Sequence, residues 1–309
     1  MALEVLSGGL LTTVQDLGRR GYERYGVPVA GAMDPFALRA ANFLVGNSPD
    51  AAVLEIALVG PTLRATDKCL IAVTGADLSL RVNDVELPPW MTIFVRKGWT
   101  IEFGERRSGC RAYLAAAGGI DVTPVLGSRS TYLGGGLGGF EGRALRQGDL
   151  VAVGPVSVHL AGMAGRSFPS TLIPNYSDAP EIRVVLGPQD DYFTDEGVAT
   201  FLSGKYSVAP TSDRMGYRLK GPDVAHKGET GIISDGIPLG AVQVPADRQP
   251  IVMMADRQTI GGYPKIATVI SADIPLLAQC FPGQSTVKFE PVGVDEAQLC
   301  YRKMMKTLA

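Results

Sequence analysis

Histidine is nearly absent from this chain: 309 residues hold two, His159 and His226. Neither has metal-ligand spacing and no GxSxG elbow is present, so neither zinc hydrolysis nor a serine triad has residues to rest on. His159 alternates with Val158 and Leu160, which reads as a strand position. Cysteine is sparse too. Cys69, Cys110, Cys280 and Cys300 lie far apart with no CxxC pair, the pattern of reduced thiols in a cytoplasmic protein. No apolar run approaches ~18 residues, so no membrane-spanning helix is expected, and the start lacks the basic and apolar regions of a signal peptide. Charge is balanced: 29 Lys and Arg against 31 Asp and Glu give a formal net charge of −2. That excludes an electrostatic grip on nucleic acid or an anionic membrane. Basic pairs such as Arg19-Arg20 and Arg106-Arg107 read as solvated surface, with service to an anionic substrate as the alternative for one of them.

Glycine, at 38 residues, and proline, at 21, are abundant. They punctuate short alternating segments, the pattern of a β-barrel or sandwich. Leu78, Leu80 and Val82 alternate with polar neighbours, as do Ile182, Val184 and Leu186, and Val287 with Phe289. Ile93 and Val95, then Trp99, Ile101 and Phe103 beyond Lys97-Gly98, read as a hairpin. Helices are few. Asp34-Pro35 caps an apolar run from Phe36 to Val45 that stops at Gly46-Asn47. A second helix is expected over about Tyr192–Leu202, and a third at the C-terminus with Asp295 as cap. Aperiodic residues 162–180 mark a linker, which places one domain at 1–165 and another at 175–309.

Five segments combine glycine with polar side chains and suit binding loops on a rigid scaffold. They are TTVQDLGRRGY, with Gln15, Asp16 and Arg19; GAMDP at the first helix start; AAAGGID through Ser128-Arg129-Ser130 to the glycine run Gly134–Gly139; Thr211–Leu219, with Arg214 and Tyr217; and Ser234–Lys265, with Gln243, Asp256, Gln258 and Tyr263. Consecutive amides in the glycine run offer either a cradle for a phosphate or carboxylate, or a plain crossing loop. The run is not a P-loop, because no GKS or GKT closes it.

On these segments, with GAMDPFALRAANFLVGN, SDRMGYRLKG and GAVQVPADRQPIVMMADRQTIGGYPKIATV, the sequence resembles the allophanate hydrolase subunit 2 family, also called the KipI antagonist family, over nearly its whole length. One departure is Ile260, where the family pattern has threonine. The resemblance implies a mainly β fold of two cyclophilin-like β-barrel domains. It also implies a subunit of an ATP-dependent 5-oxoprolinase, cleaving 5-oxo-L-proline to L-glutamate with a B-type (KipI-like) and an A-type (LamB/YcsF-like) partner. ATP would bind this chain or a partner, and no metal site is expected. From the matching positions and their chemistry, Asp16, Asp256 and Tyr263 are candidates for proton transfer. Arg214 or Arg19 would grip a carboxylate or phosphate, and Gln243 and Gln258 would read an amide. Gln15, Ser128, Arg129 and Tyr217 would complete the substrate site. Two other readings stay open: a biotin-dependent carboxyltransferase component like that of urea carboxylase, with biotin arriving on another protein, and a non-catalytic regulator that binds a KipI-like protein.

Overall fold

The computed structural model describes residues 1–156 and 160–308. His159 lies outside the described residues. The chain divides into two compact units, one of Met1–Arg19 with Ala30–Asn175 and one of Arg20–Val29 with Tyr176–Ala309. Residues 20–29 therefore cluster with the second unit, a discontinuity that no change of periodicity marks.

The first unit is built on two antiparallel sheets. The larger has the strand order Leu150–Ala152, Ala2–Ser7, Thr62–Ala65, Thr100–Phe103, Leu80–Val82, Val85–Glu86. The other runs Leu11–Gln15, Val53–Ala57, Ser108–Ala116, Cys69–Asp77, Met91–Val95. Their inner faces share one core, with Leu3, Leu63 and Ile101 from the first sheet against Leu54, Ile71 and Leu114 from the second. The strands Cys69–Asp77 and Ser108–Ala116 are buried almost throughout. The reason is the helix Pro35–Val45, which covers their outer side and receives the Thr74 hydroxyl bond at the Ala37 carbonyl, 2.6 Å. Strands covered on both faces read as apolar runs instead of alternating.

The expected hairpin across Lys97-Gly98 does not form. Met91–Val95 pairs with Cys69–Asp77, whereas Thr100–Phe103 pairs with Thr62–Ala65 and Leu80–Val82 in the other sheet. Both segments alternate because both face the shared core, and alternation does not report which neighbour a strand bonds to. The turn is a corner between sheets.

In the second unit the strands close a seven-stranded barrel: Glu181–Leu186, Lys265–Val269, Ala241–Gln243, Ile251–Met253, Gly216–Lys220, Tyr206–Val208, Thr286–Pro291. Closure comes from the parallel pairing of Glu181–Leu186 with Thr286–Pro291, and it removes the exposed edges that invite aggregation. The helix Asp195–Ser203, capped by the Thr194 side chain on Gly197 N, packs on this seam. Its Phe201 ring stacks on Phe289 at 4.5 Å between centroids. A short helix, Ile274–Ala278, was not expected from the sequence. The terminal helix, Val294–Lys306, begins after Gly293, so Asp295 sits in its first turn and is not the cap. With Glu296 there and Lys303 and Lys306 in the last turn, it complements the helix dipole.

The Asp34 carboxylate accepts from Ala37 N at 2.8 Å and caps the helix Pro35–Val45. Asp34→Ala is expected to lower stability by about 1–2 kcal/mol, measured as a drop in the urea midpoint at unchanged slope.

Candidate functional site

In the first unit the expected site residues are brought together around Asp16. Its Oδ1 accepts from Gly18 N at 2.8 Å, from the Ser128 hydroxyl at 2.7 Å and from the Ser130 hydroxyl at 2.5 Å, while Oδ2 accepts from Arg129 N at 2.5 Å. Four donors on one nearly buried carboxylate make it a strut that ties the 128–131 loop to the strand Leu11–Gln15. The Arg19 guanidinium, 1% exposed, donates to the Ser130 carbonyl, so this half of the Arg19-Arg20 pair is not the surface group its composition suggested. Gln15 is fully buried and donates to Thr13 Oγ1 at 3.0 Å and the Thr131 carbonyl at 3.1 Å. Arg129 alone reaches outward, with Nε on the Val122 carbonyl and Nη2 at 3.9 Å from Asp121.

The glycine run is explained by packing. A Cβ on Gly138 would fall on the Ser130 carbonyl and the Arg19 guanidinium, and one on Gly139 would fall on the Thr131 hydroxyl. Both residues have positive φ. Close backbone approach accounts for the glycines at these two positions.

A buried network that sequence reasoning missed lies behind the first helix. Glu55 Oε2 accepts from Met33 N and from the Tyr113 hydroxyl, each at 2.8 Å; the same hydroxyl accepts from Asp34 N at 2.8 Å. Arg111 Nε stands 4.0 Å from Glu55 Oε1, with both side chains buried. Burial, reinforced by the Glu55 and Asp34 charges, pushes the Tyr113 phenol well above its ordinary range, so it stays a donor. The signal available was a charge inside otherwise apolar strands, Val-Leu-Glu-Ile-Ala and Cys-Arg-Ala-Tyr-Leu.

In the second unit Arg214 and Asp256 form a buried bidentate pair, Nε to Oδ2 at 3.0 Å and Nη2 to Oδ1 at 2.8 Å. The expected substrate-gripping arginine and proton-transferring carboxylate are thus engaged with one another, away from solvent. Tyr217 is fully buried, with its hydroxyl on the Ala278 and Cys280 carbonyls.

The remaining groups converge. Asp235–Gly236 and Ile260–Gly261 form a two-stranded ladder. Beside it, the barrel strand Ala241–Gln243 sets Gln243 opposite Lys265, across a register shift. A Cβ on Gly261 would stand 3.0 Å from Gln243 Nε2 and 3.4 Å from Gln258 Nε2, so both carboxamides approach this glycine. Gln243 Nε2 donates to the Tyr263 carbonyl at 3.2 Å, and the Tyr263 side chain is exposed. Ile260 is 61% exposed, so its departure from the family pattern changes surface and not packing. Lys265, 1% exposed, reaches Asp235 Oδ2 at 2.9 Å, and Lys265 N donates to Gln189 Oε1 at 3.1 Å. The Lys265 hydrogen bond, joined by Gly236 N, holds the Asp235 carboxyl below its ordinary range. The result is a buried lysine beside two amides, suited to a polar group such as an amide on which negative charge develops. Lys265 and Asp235 stand in the fifth segment but were not singled out; a lone lysine opening the apolar run Ile266-Ala267 was the clue.

Removing the strut, Asp16→Ala, strands several buried donors and is expected to cost about 2–4 kcal/mol, read in denaturant melts. Asp235 has a depressed folded pKa, so its stabilisation is present above the ordinary carboxylate range and is lost as pH falls through the depressed value. Asp235→Asn is expected to be less stable than wild type at about pH 7, with the gap closing toward about pH 3. A gap unchanged across that range would show that the Lys265 bond is not its source.

Comparison with known proteins places this geometry. The family description "Carboxyltransferase domain, subdomain A and B" matches residues 25–291. The C-type 5-oxoprolinase subunit of Escherichia coli is 38% identical over 96% of this chain and 93% of that protein. The urea amidolyase of Lachancea kluyveri is 37% identical over 96% of this chain, which spans only 17% of that protein. The crystal structure of the K. lactis urea amidolyase superposes with a TM-score of 0.93 at 33% identity, covering 99% of this chain and 20% of that one. Fold and sequence agree, and the chain belongs to the carboxyltransferase subdomain A and B family.

Proposed function

We propose that this protein is the C-type subunit of an ATP-dependent 5-oxoprolinase, opening 5-oxo-L-proline to L-glutamate together with A-type (LamB/YcsF-like) and B-type (KipI-like) subunits. The observation that supports it is the approach of the Gln243 and Gln258 carboxamides to Gly261, beside the buried Lys265 ammonium. A lactam presents one N–H donor and one carbonyl acceptor, and a primary carboxamide complements both. Ring opening places negative charge on the carbonyl oxygen. A preorganised ammonium in a site of low dielectric stabilises that charge most where it develops. Asp235 orients the ammonium, and the exposed Tyr263, whose main-chain carbonyl accepts from Gln243, exchanges a proton with the ring nitrogen.

ATP would phosphorylate the unreactive carbonyl and so ease its cleavage. The glycines at 138 and 139 are accounted for by packing, so in this reading the nucleotide is held by a partner subunit. Asp16 and the Arg214–Asp256 pair act as positioning groups. The cytoplasm is the compartment assigned, consistent with four cysteines that form no disulfide.

The match to a carboxyltransferase family and to urea amidolyases favours a second reading, in which the same carboxamides hold urea or a carboxylated amide and biotin arrives on another protein. Reconstitution with both partners separates the two: glutamate release from 5-oxoproline that requires ATP supports the first, and avidin-sensitive incorporation of bicarbonate supports the second. Tight binding to the B-type subunit without turnover of either substrate would mark a regulator. In the reconstituted complex, Gln243→Ala and Lys265→Met are expected to lower kcat/KM by about 100-fold or more. Wild-type turnover in both would reject the site.

A further inference from the structure

The second unit also holds a cavity of about 300 Å³. Pro28, Ile237 and Pro238 give it apolar walls; Arg257, Gln258 and Glu23 supply its polar groups. Arg257 is fixed by two main-chain carbonyls, Nε donating to Ile237 O at 2.8 Å and Nη1 to Met254 O at 3.3 Å. These bonds orient the guanidinium and leave its charge intact. Among the described residues, no carboxylate lies within 4.0 Å of it. Glu23 interacts with it only at longer range, because the Glu23 carboxylate accepts from Gly21 N at 2.7 Å. Arg20 adds a second positive field. Burial pulls the Arg257 pKa down, the mark of a charge partly stripped of water and not neutralised by its surroundings. A planar fork held in this way is the usual receptor for a carboxylate. Gln258 lines the same cavity, and its carboxamide stands with that of Gln243 beside Gly261. Anion-binding and amide-reading groups are thus consecutive in the chain and adjacent in space.

We infer that this cavity is a carboxylate subsite, so that the ligand of the second unit is a small amide or lactam bearing its own carboxylate. Arg257 pairs with the carboxylate and Gln258 meets the amide. Identifying that ligand as 5-oxoproline, and with it the ligand used in the test, rests on the proposed function above. Urea, which has no carboxylate, leaves Arg257 without a counter-ion, so the subsite separates 5-oxoproline from urea, though not from a carboxylated amide.

The test is titration calorimetry on the full chain, alone and with its partner subunits, using 5-oxo-L-proline, the carboxylate-free lactam 2-pyrrolidinone, and inorganic phosphate. Arg257→Gln is expected to weaken 5-oxoproline at least about tenfold and to leave 2-pyrrolidinone within about twofold, with Arg257→Lys recovering part of the loss. Arg257 also bonds two carbonyls, so Thr259→Asp serves as a second variant. It places a like charge at the cavity wall without touching those bonds, and the same selective loss is expected. Equal weakening of both lactams, or unchanged 5-oxoproline binding in both variants, overturns the subsite. So does Arg257-dependent binding of phosphate without binding of 5-oxoproline, and so does a wild-type complex that binds no 5-oxoproline. If the wild-type complex binds 5-oxoproline through Arg257 yet releases no glutamate, the subsite stands and the oxoprolinase reading falls.

Discussion

A charge withdrawn from water has to be met by partners inside the protein, and in this fold of short strands that requirement decides where the loops go. Asp16 shows it most directly. Its carboxylate gathers two hydroxyls and two main-chain amides, three of these four donors from a loop more than a hundred residues away in sequence. Once Ser128–Thr131 is held there, the following residues must pass so close to Ser130 and Thr131 that side chains are excluded at Gly138 and Gly139. Glu55 with Tyr113 and Arg111, and Arg214 with Asp256, repeat the principle with other partners. These pairings give register more than net stability, since desolvation offsets much of their attraction.

Lys265 follows the rule with a difference that matters for chemistry. Its partner, Asp235, is 55% exposed and sits on a two-residue ladder outside the barrel. A buried lysine paired from the solvent side lies next to groups that can engage a ligand. Arg257 extends the logic: its position is fixed by neutral carbonyls and its charge is left for something else.

What the sequence made legible was local. Asp34-Pro35 and Gly46 define a helix by the chemistry of its ends, and the structure starts and stops that helix there. Alternation placed strands correctly at Leu80–Val82, Glu181–Leu186 and Thr286–Pro291. Partnership was not legible, because Ile93 and Ile101 alternate identically while bonding into different sheets. The site residues were selected by chemical type, and type does not reveal occupancy: Arg214 looks like a ligand-gripping arginine until Asp256 is found on it, and Arg19 looks like surface until its burial is seen. Gln243 and Gln258 were selected as carboxamides in a glycine-rich turn, and the structure brings both beside Gly261. Lys265 was not selected, because one lysine at a strand start resembles many solvated ones.

The assignment of residues 20–29 to the second unit bears on how this protein can be divided. A cut at Asn175 yields a C-terminal fragment that lacks part of its own compact unit, including Pro28 and Val29 from a cavity wall. The two units are therefore interleaved along the chain, and gene fusion, fission or recombination must carry them as a single block. The relatives conform: the subunit-sized and the multi-domain proteins alike match about 96% of this chain.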